Sequence, residues 1–134
     1  MTIRDVLLPA LRAAFPHRGL RAGDTPNVVA VFPAACAEVG DLTIHDDGDE
    51  ATIYLGHVTH THFGPTYLDQ PEDERALAIR DEVVEFLREL LADRVLLYSV
   101  EGSEDGWSRY DGTIPRDIPR SAKKFVWSRR IHRH

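Results

Sequence analysis

Residues 41–55 are Asp41-Leu42-Thr43-Ile44-His45-Asp46-Asp47-Gly48-Asp49-Glu50-Ala51-Thr52-Ile53-Tyr54-Leu55. Apolar and polar side chains alternate on both sides of Asp47-Gly48, a dipeptide that favours a two-residue type I′ turn because both of its positions need a positive φ. With that turn, Leu42 pairs with Ile53. The other predicted pairs are Asp46 with Asp49, His45 with Glu50, Ile44 with Ala51, Thr43 with Thr52 and Asp41 with Tyr54. The pattern therefore predicts a β-hairpin with one apolar face and one polar face.

Two helices are predicted, one before and one after this hairpin. Thr2 can cap a first helix that runs to Phe15, and Pro9 predicts either a kink or a helix that begins only there. Asp69 can cap a second helix that runs to about Ala92. The apolar residues of this longer helix cover roughly half of its circumference, so we expect it to pack broadly against a sheet.

Short apolar runs predict further strands over residues 28–32, 95–100 and 125–127. Residues 102–106 are predicted to form a flexible acidic loop. The order of elements predicts an α+β fold: a mostly antiparallel, twisted sheet of four to five strands, with one long amphipathic helix across a face and an N-terminal helix. We expect a single domain over residues 1–134, with a basic C-terminal tail from about residue 129.

The composition indicates a soluble globular protein, since 43% of the 134 residues are hydrophobic and 28% are charged. No apolar run approaches the ~20 residues that span a bilayer. Asp5, Pro9 and Arg12 interrupt the pattern of a secretory leader at the N-terminus. Cys36 is the only cysteine, which excludes an internal disulfide and a cysteine-based zinc cage. We therefore expect a cytoplasmic protein without a membrane partner.

The formal net charge of −6 is unevenly distributed. Residues 23–108 carry four arginines against nineteen acidic residues, whereas residues 1–22 and 109–134 are both net basic. This segregation has two interpretations. The basic ends can neutralise the acidic middle or charged faces can keep the protein in solution, or an acidic surface can bind a basic partner.

The first functional hypothesis takes the second of these interpretations. The candidate partner-binding residues are Asp81, Glu82, Glu85 and Glu89 on the long helix and Asp46, Asp47 and Asp49 at the hairpin tip. In size and charge the chain resembles small acidic bacterial domains that act as toxin-immunity or other interaction modules. This resemblance implies an immunity or inhibitor protein that binds a basic protein, for which no cofactor is expected.

The second hypothesis is a small metal-binding protein or metal-dependent enzyme, because three histidines lie within six residues at His57, His60 and His62. On a strand, His60 and His62 point to the same side, with Cα atoms about 6.5–7 Å apart. His57 has the opposite parity unless Gly56 marks a bulge. Zn²⁺ or another divalent transition metal would need a third ligand. That ligand could come from His45, His57, Glu50 or a carboxylate after Val100. The alternative is a strand end with ordinary hydrogen bonds.

Other function classes have weaker support in the sequence. No nucleophile elbow and no phosphate-binding glycine loop occurs, so the sequence does not favour an enzyme. Lys123, Lys124 and the arginines near the C-terminus could contact the phosphates of a nucleic acid. The chain as a whole is acidic, however, with a pI near 5.6, so the sequence does not favour nucleic acid as a partner. A homo-oligomer is compatible with the sequence.

Overall fold

The structure is a computed structural model that describes residues 1–132. Its two helices are α1 (Ile3–Ala14) and α2 (Glu72–Leu91), and a single 3₁₀ turn covers Pro65–Tyr67. The strands are β1 (Arg21–Ala22), β2 (Val28–Phe32), β3 (Leu42–Asp46), β4 (Ala51–Leu55), β5 (Thr59–Phe63), β6 (Val95–Ser99), β7 (Asp105–Arg109), β8 (Lys123–Val126) and β9 (Arg129–Ile131). Neither helix in this part of the chain has both the length and the apolar character that crossing a bilayer requires.

The strands form two antiparallel sheets, which confirms the α+β prediction. The first sheet has the order β1-β2-β3-β4-β5, and the second has the order β7-β6-β8-β9. The sequence predicted a single sheet and a flexible loop over residues 102–106, but residues 105–106 belong to β7, which pairs with β6. The first residues of the predicted basic tail form β9, which pairs with β8, and residues 133–134 of that tail lie outside the described residues. These strands are short and rich in charge, so long-range pairing rather than local preference determines their conformation.

The hairpin of β3 and β4 forms with the predicted faces but not with the predicted pairing. Leu42 lies opposite Leu55, not opposite Ile53, because residues 47–50 form a four-residue connection. A side-chain oxygen of Asp46 accepts a hydrogen bond from the backbone N–H of Gly48 at 2.9 Å, which stabilises this longer turn. The pairing differs by two residues, and a shift of two leaves every side chain on its original face.

The core lies between the helices and the inner faces of the two sheets. The apolar face of the hairpin is fully buried, and its members are Leu42, Ile44, Ala51, Ile53 and Leu55. Leu7, Leu87 and Leu97 bring α1, α2 and β6 into the same core. A second, smaller core lies on the outer face of the second sheet, where residues 110–122 cover Leu96 and Val126.

The sequence predicted the cap of α1 correctly and the cap of α2 incorrectly, and of its two alternatives for Pro9 one is excluded. Thr2 caps α1 and forms the reciprocal hydrogen bonds of a capping box with Asp5. Helix α1 begins at Ile3 and continues through Pro9, so it does not begin at the proline. Helix α2 begins at Glu72 after Pro71, and no side chain caps it, so the predicted cap by Asp69 is wrong.

Candidate functional site

A groove opens where α2 crosses the junction of the two sheets. Its volume is about 540 Å³. At the junction, the hydroxyl of Thr59 on β5 donates a hydrogen bond to Asp105 on β7 at 2.6 Å. The floor is aromatic: the ring centroid of Phe86 on α2 lies 5.3 Å from that of Phe63 and 4.9 Å from that of Trp107. Three separate elements therefore build one apolar surface, of which Phe63 and Trp107 remain partly exposed.

The acidic wall of the groove is the helix face that the sequence predicted. All four residues of that face, Asp81, Glu82, Glu85 and Glu89, line the groove. Their spacing places them on adjacent turns of α2, above Phe86. Arg109 lies at the β7 side of the groove and is its only basic lining residue in the described part of the chain. The groove thus combines an aromatic floor with a predominantly negative rim.

The four carboxylates of this wall have different partners. Asp81 pairs with Arg80 at 2.9 Å. Glu82 accepts a hydrogen bond from the hydroxyl of Tyr67. Glu89 pairs with the guanidinium of Arg94 at 2.5 Å. Glu85 is exposed, and within residues 1–132 its carboxylate forms no hydrogen bond or ion pair. Glu85 is therefore the carboxylate most available to a cation from outside.

Two of these contacts shift the pKa of a groove residue. The hydrogen bond from Arg94, and then its charge, lower the pKa of Glu89 below its usual range, so this carboxylate stays ionised near neutral pH. The hydrogen bond to Glu82 raises the pKa of Tyr67 above its usual value, and partial desolvation adds to the effect. The rim of the groove is consequently negative, and Tyr67 is a neutral donor that holds one of its carboxylates.

The hairpin tip does not join the groove. Asp46 accepts hydrogen bonds from the backbone N–H groups of Arg4 and Gly48, and Asp49 lies 3.6 Å from Arg75 on α2. Asp47 accepts a hydrogen bond from Thr52. These carboxylates fix the hairpin and attach it to α1 and α2. The sequence predicted a partner surface that included Asp46, Asp47 and Asp49, but the groove contains only the helix residues.

The predicted histidine site is only partly assembled. His60 and His62 lie on the same face of β5, with ring centroids 5.2 Å apart, as their spacing predicted. His57 lies in the β4–β5 turn, where its backbone N–H donates to the carbonyl oxygen of Val39 at 2.7 Å. Its ring lines a different cavity beside Gly40. The structure therefore does not bring His57 together with His60 and His62 as one ligand set.

His62 lies instead among two carboxylates and a hydroxyl. Its Nδ1 atom is 3.2 Å from the carboxylate of Glu50 and 3.0 Å from the hydroxyl of Thr52. The ligand atoms of Asp47, Glu50 and His62 all lie within 4.8 Å of one another. Within residues 1–132, no other set of three histidine, cysteine, aspartate or glutamate side chains is as close. Glu50 was one of the third ligands considered from the sequence, whereas Asp47 was placed in the partner surface.

The aromatic floor of the groove was missed in the sequence. Phe63, Phe86 and Trp107 come from three separated segments, and residues 102–106 were interpreted as a loop rather than as the approach to a strand. The one local signal is Trp107 itself, because tryptophan is enriched among the residues that dominate binding interfaces. The acidic wall was found because it lies in one segment with helical spacing.

The comparisons with known proteins provide no relative from which a function could be inferred. No family model matches the chain, and neither a curated protein nor a solved structure shows significant similarity to it. The groove and the His62 site are therefore the features of the molecule that point to a function.

Proposed function

We propose that this chain is an interaction module that binds a basic segment of a partner protein in the groove between α2 and the sheet junction. The observation that carries the proposal is the combination of four carboxylates with an aromatic floor in one cavity. Either feature alone is common on protein surfaces. Together they fit a ligand that presents an apolar or aromatic side chain next to a positive charge.

The charges in the groove define how such a segment would bind. An arginine or lysine of the partner would approach Glu85, whose carboxylate is exposed. Its aliphatic part, or a neighbouring apolar residue, would pack on Trp107 and Phe63. Arg109 would repel a second cation at the β7 side. The proposed ligand is therefore amphipathic rather than uniformly basic.

An inhibitor of a basic enzyme is the form of this proposal that agrees best with the charge of the chain. An enzyme that acts on phosphate-containing substrates presents a positive surface, and an acidic module could cover it. Complementary charge would accelerate the encounter and make affinity dependent on ionic strength. The single cysteine is compatible with a reducing compartment such as the cytoplasm.

A direct test uses two synthetic peptides of equal length and apolar content. One alternates arginine with leucine, and the other replaces each arginine by glutamate. Trp107 is partly exposed whereas Trp127 is 2% exposed, so a change in tryptophan fluorescence on binding would report on the groove. We expect the arginine peptide to change the fluorescence and to bind at least about tenfold more weakly in 0.5 M than in 0.05 M salt.

A matched pair of variants locates the binding site. Glu85→Gln removes one groove carboxylate, whereas Glu74→Gln removes an exposed carboxylate in the first turn of the same helix, outside the groove. Glu85→Gln should weaken binding of the arginine peptide severalfold, and Glu74→Gln should leave it nearly unchanged. Equal effects of the two variants, or equal binding of the two peptides, would contradict the proposal.

A further inference from the structure

We propose that Asp47, Glu50 and His62 bind one divalent transition-metal ion, such as Zn²⁺, at the end of the hairpin. This site lies on the outer face of the first sheet and is independent of the groove. It differs from the histidine site that the sequence predicted, because two of its three ligands are carboxylates of the β3–β4 connection. Both carboxylates lie in the four-residue connection between β3 and β4, next to His62 on β5.

The distances between the ligand atoms suit a single small ion. Three N or O ligands at about 2.0–2.2 Å from Zn²⁺ in a tetrahedral arrangement lie roughly 3.3–3.6 Å from one another. The ligand atoms of Asp47, Glu50 and His62 are within 4.8 Å of each other without an ion. Small side-chain rotations are therefore sufficient to close the site. The fourth position would be open to water or to His60, whose ring centroid is 5.2 Å from that of His62.

Thr52 holds the ligand Asp47 in place and lies beside His62. It is 2% exposed and lies directly opposite His62 in the β4–β5 ladder. Its hydroxyl donates a hydrogen bond to Asp47 and lies 3.0 Å from the Nδ1 atom of His62. A buried residue that orients ligating side chains increases the affinity of a metal site, because less freedom is lost when the ion binds. Asp47 and His62 are thus connected through the sheet and not through solvent.

The charge and the chemistry of the ligands select the kind of ion. Two carboxylates offset the charge of a divalent ion, and the neighbouring arginine, Arg75, pairs with Asp49 rather than with either ligand. One imidazole with two carboxylates favours Zn²⁺, Co²⁺ or Ni²⁺ over Mg²⁺, which prefers oxygen ligands and retains water. The bound ion would connect the hairpin loop to β5.

Calorimetric titration with ZnCl₂ tests the proposal on the full, tag-free chain. His132→Ala and His134→Ala are included in every sample, so that the C-terminal histidines do not bind the ion. We expect one Zn²⁺ per chain, a higher Tm in its presence, and no comparable effect of MgCl₂. His62→Ala and Glu50→Gln should each weaken the binding at least tenfold. His57→Ala is the matched control and should leave it unchanged.

Nitrogen-15 NMR of the histidine rings provides a second measurement that does not depend on the variants. Addition of Zn²⁺ should shift the ring nitrogens of His62 strongly and those of His57 little. The proposal is overturned if the chain with only His132→Ala and His134→Ala takes up no Zn²⁺ at millimolar concentration, or if adding His62→Ala to that chain leaves the binding equally tight. It is also overturned if His57 is the histidine that shifts. Glu85→Gln should bind Zn²⁺ normally, which separates this site from the groove.

Discussion

The hydroxyl of Tyr67 donates a hydrogen bond to the carboxylate of Glu82 on the wall of the groove. This contact connects the 3₁₀ turn that follows β5 to the middle of α2. It therefore joins two lining residues of the groove, Tyr67 on the 3₁₀ turn and Glu82 on α2. The rim of the groove is stiffened from within the chain before any ligand is present.

The first prediction concerns the titration of Tyr67. Its pKa is raised above the ordinary value of 10.0 because the hydrogen bond to Glu82 favours the protonated phenol. Since the folded-state pKa is the higher one, the stabilisation is complete below pH ~10 and is lost as the pH rises through the folded value. Ultraviolet absorbance should show one late tyrosine titration, which Tyr67→Phe removes and Glu82→Gln moves to lower pH. An unchanged titration curve in Glu82→Gln would disprove this cause.

The second prediction compares the two faces of the hairpin. Ile53 is fully buried, whereas its neighbour Tyr54 is 43% exposed on the outer face. Ile53→Ala should lower the free energy of unfolding by about 2–5 kcal/mol, because it leaves a cavity in the core. Tyr54→Ala should change it by less than about 1 kcal/mol. Urea denaturation measures both values, and similar losses for the two variants would show that the faces are assigned incorrectly.

The third prediction uses two glycines that share a positive φ. Gly56 has φ 60°, and a Cβ atom there would lie 1.8 Å from the carbonyl oxygen of Val39. Gly48 has φ 90°, but the space around it is open. Gly48→Ala should cost roughly 1–2 kcal/mol for the backbone conformation alone. Gly56→Ala should cost at least about 2 kcal/mol more because it also displaces Val39. Thermal unfolding of the two variants would reveal the difference, and equal values would contradict it.

The fourth prediction concerns the start of α1. Thr2→Ala should lower the free energy of unfolding by about 1 kcal/mol, because the hydroxyl no longer accepts from the backbone N–H of Asp5. Asp5 itself has a pKa below 3.8, first because its carboxylate accepts a hydrogen bond from the backbone N–H of Thr2 and second because of the Thr2 hydroxyl. Its contribution is complete above the ordinary pKa and is lost as the pH falls through the lowered one.

Asp5→Asn should therefore lower the Tm at pH 7 and have a smaller effect near pH 3. Asp24→Asn provides the control, since Asp24 is an exposed carboxylate in the connection between β1 and β2. It should have little effect at either pH. A decrease for Asp5→Asn that persists unchanged at pH 3 would show that the charge of Asp5 is not its cause.

The parts of this structure that depend on local periodicity could be predicted from the sequence. The alternation on both sides of Gly48 determined which residues of the hairpin are buried, and helical spacing identified the acidic wall of α2. The pairing of the hairpin could not be predicted correctly. Asp46 accepts a hydrogen bond from the backbone N–H of Gly48 and favours a longer turn than the Asp47-Gly48 dipeptide implies.

The features that depend on distant segments were the ones that sequence reasoning missed. Strand β7 carries Gly106 and two charged residues, so its local pattern is that of a loop, and only pairing with β6 makes it a strand. The aromatic floor and the proposed ligand Asp47 were missed for the same reason, because both depend on contacts between separate segments. Trp107 reaches the groove through the second sheet, and Asp47 reaches His62 through the length of the hairpin connection.

The order of strands in the second sheet has a consequence for folding. Strand β6 lies between β7 and β8, and β8 is separated from β7 by the covering segment of residues 110–122. Leu97 therefore obtains its partner Phe125 only after this segment has crossed the sheet. Until then one side of β6 remains an open strand edge, which is a site for aggregation of the partly folded chain. Mutations that slow the addition of the last strands should decrease the yield of folded protein more than its final stability.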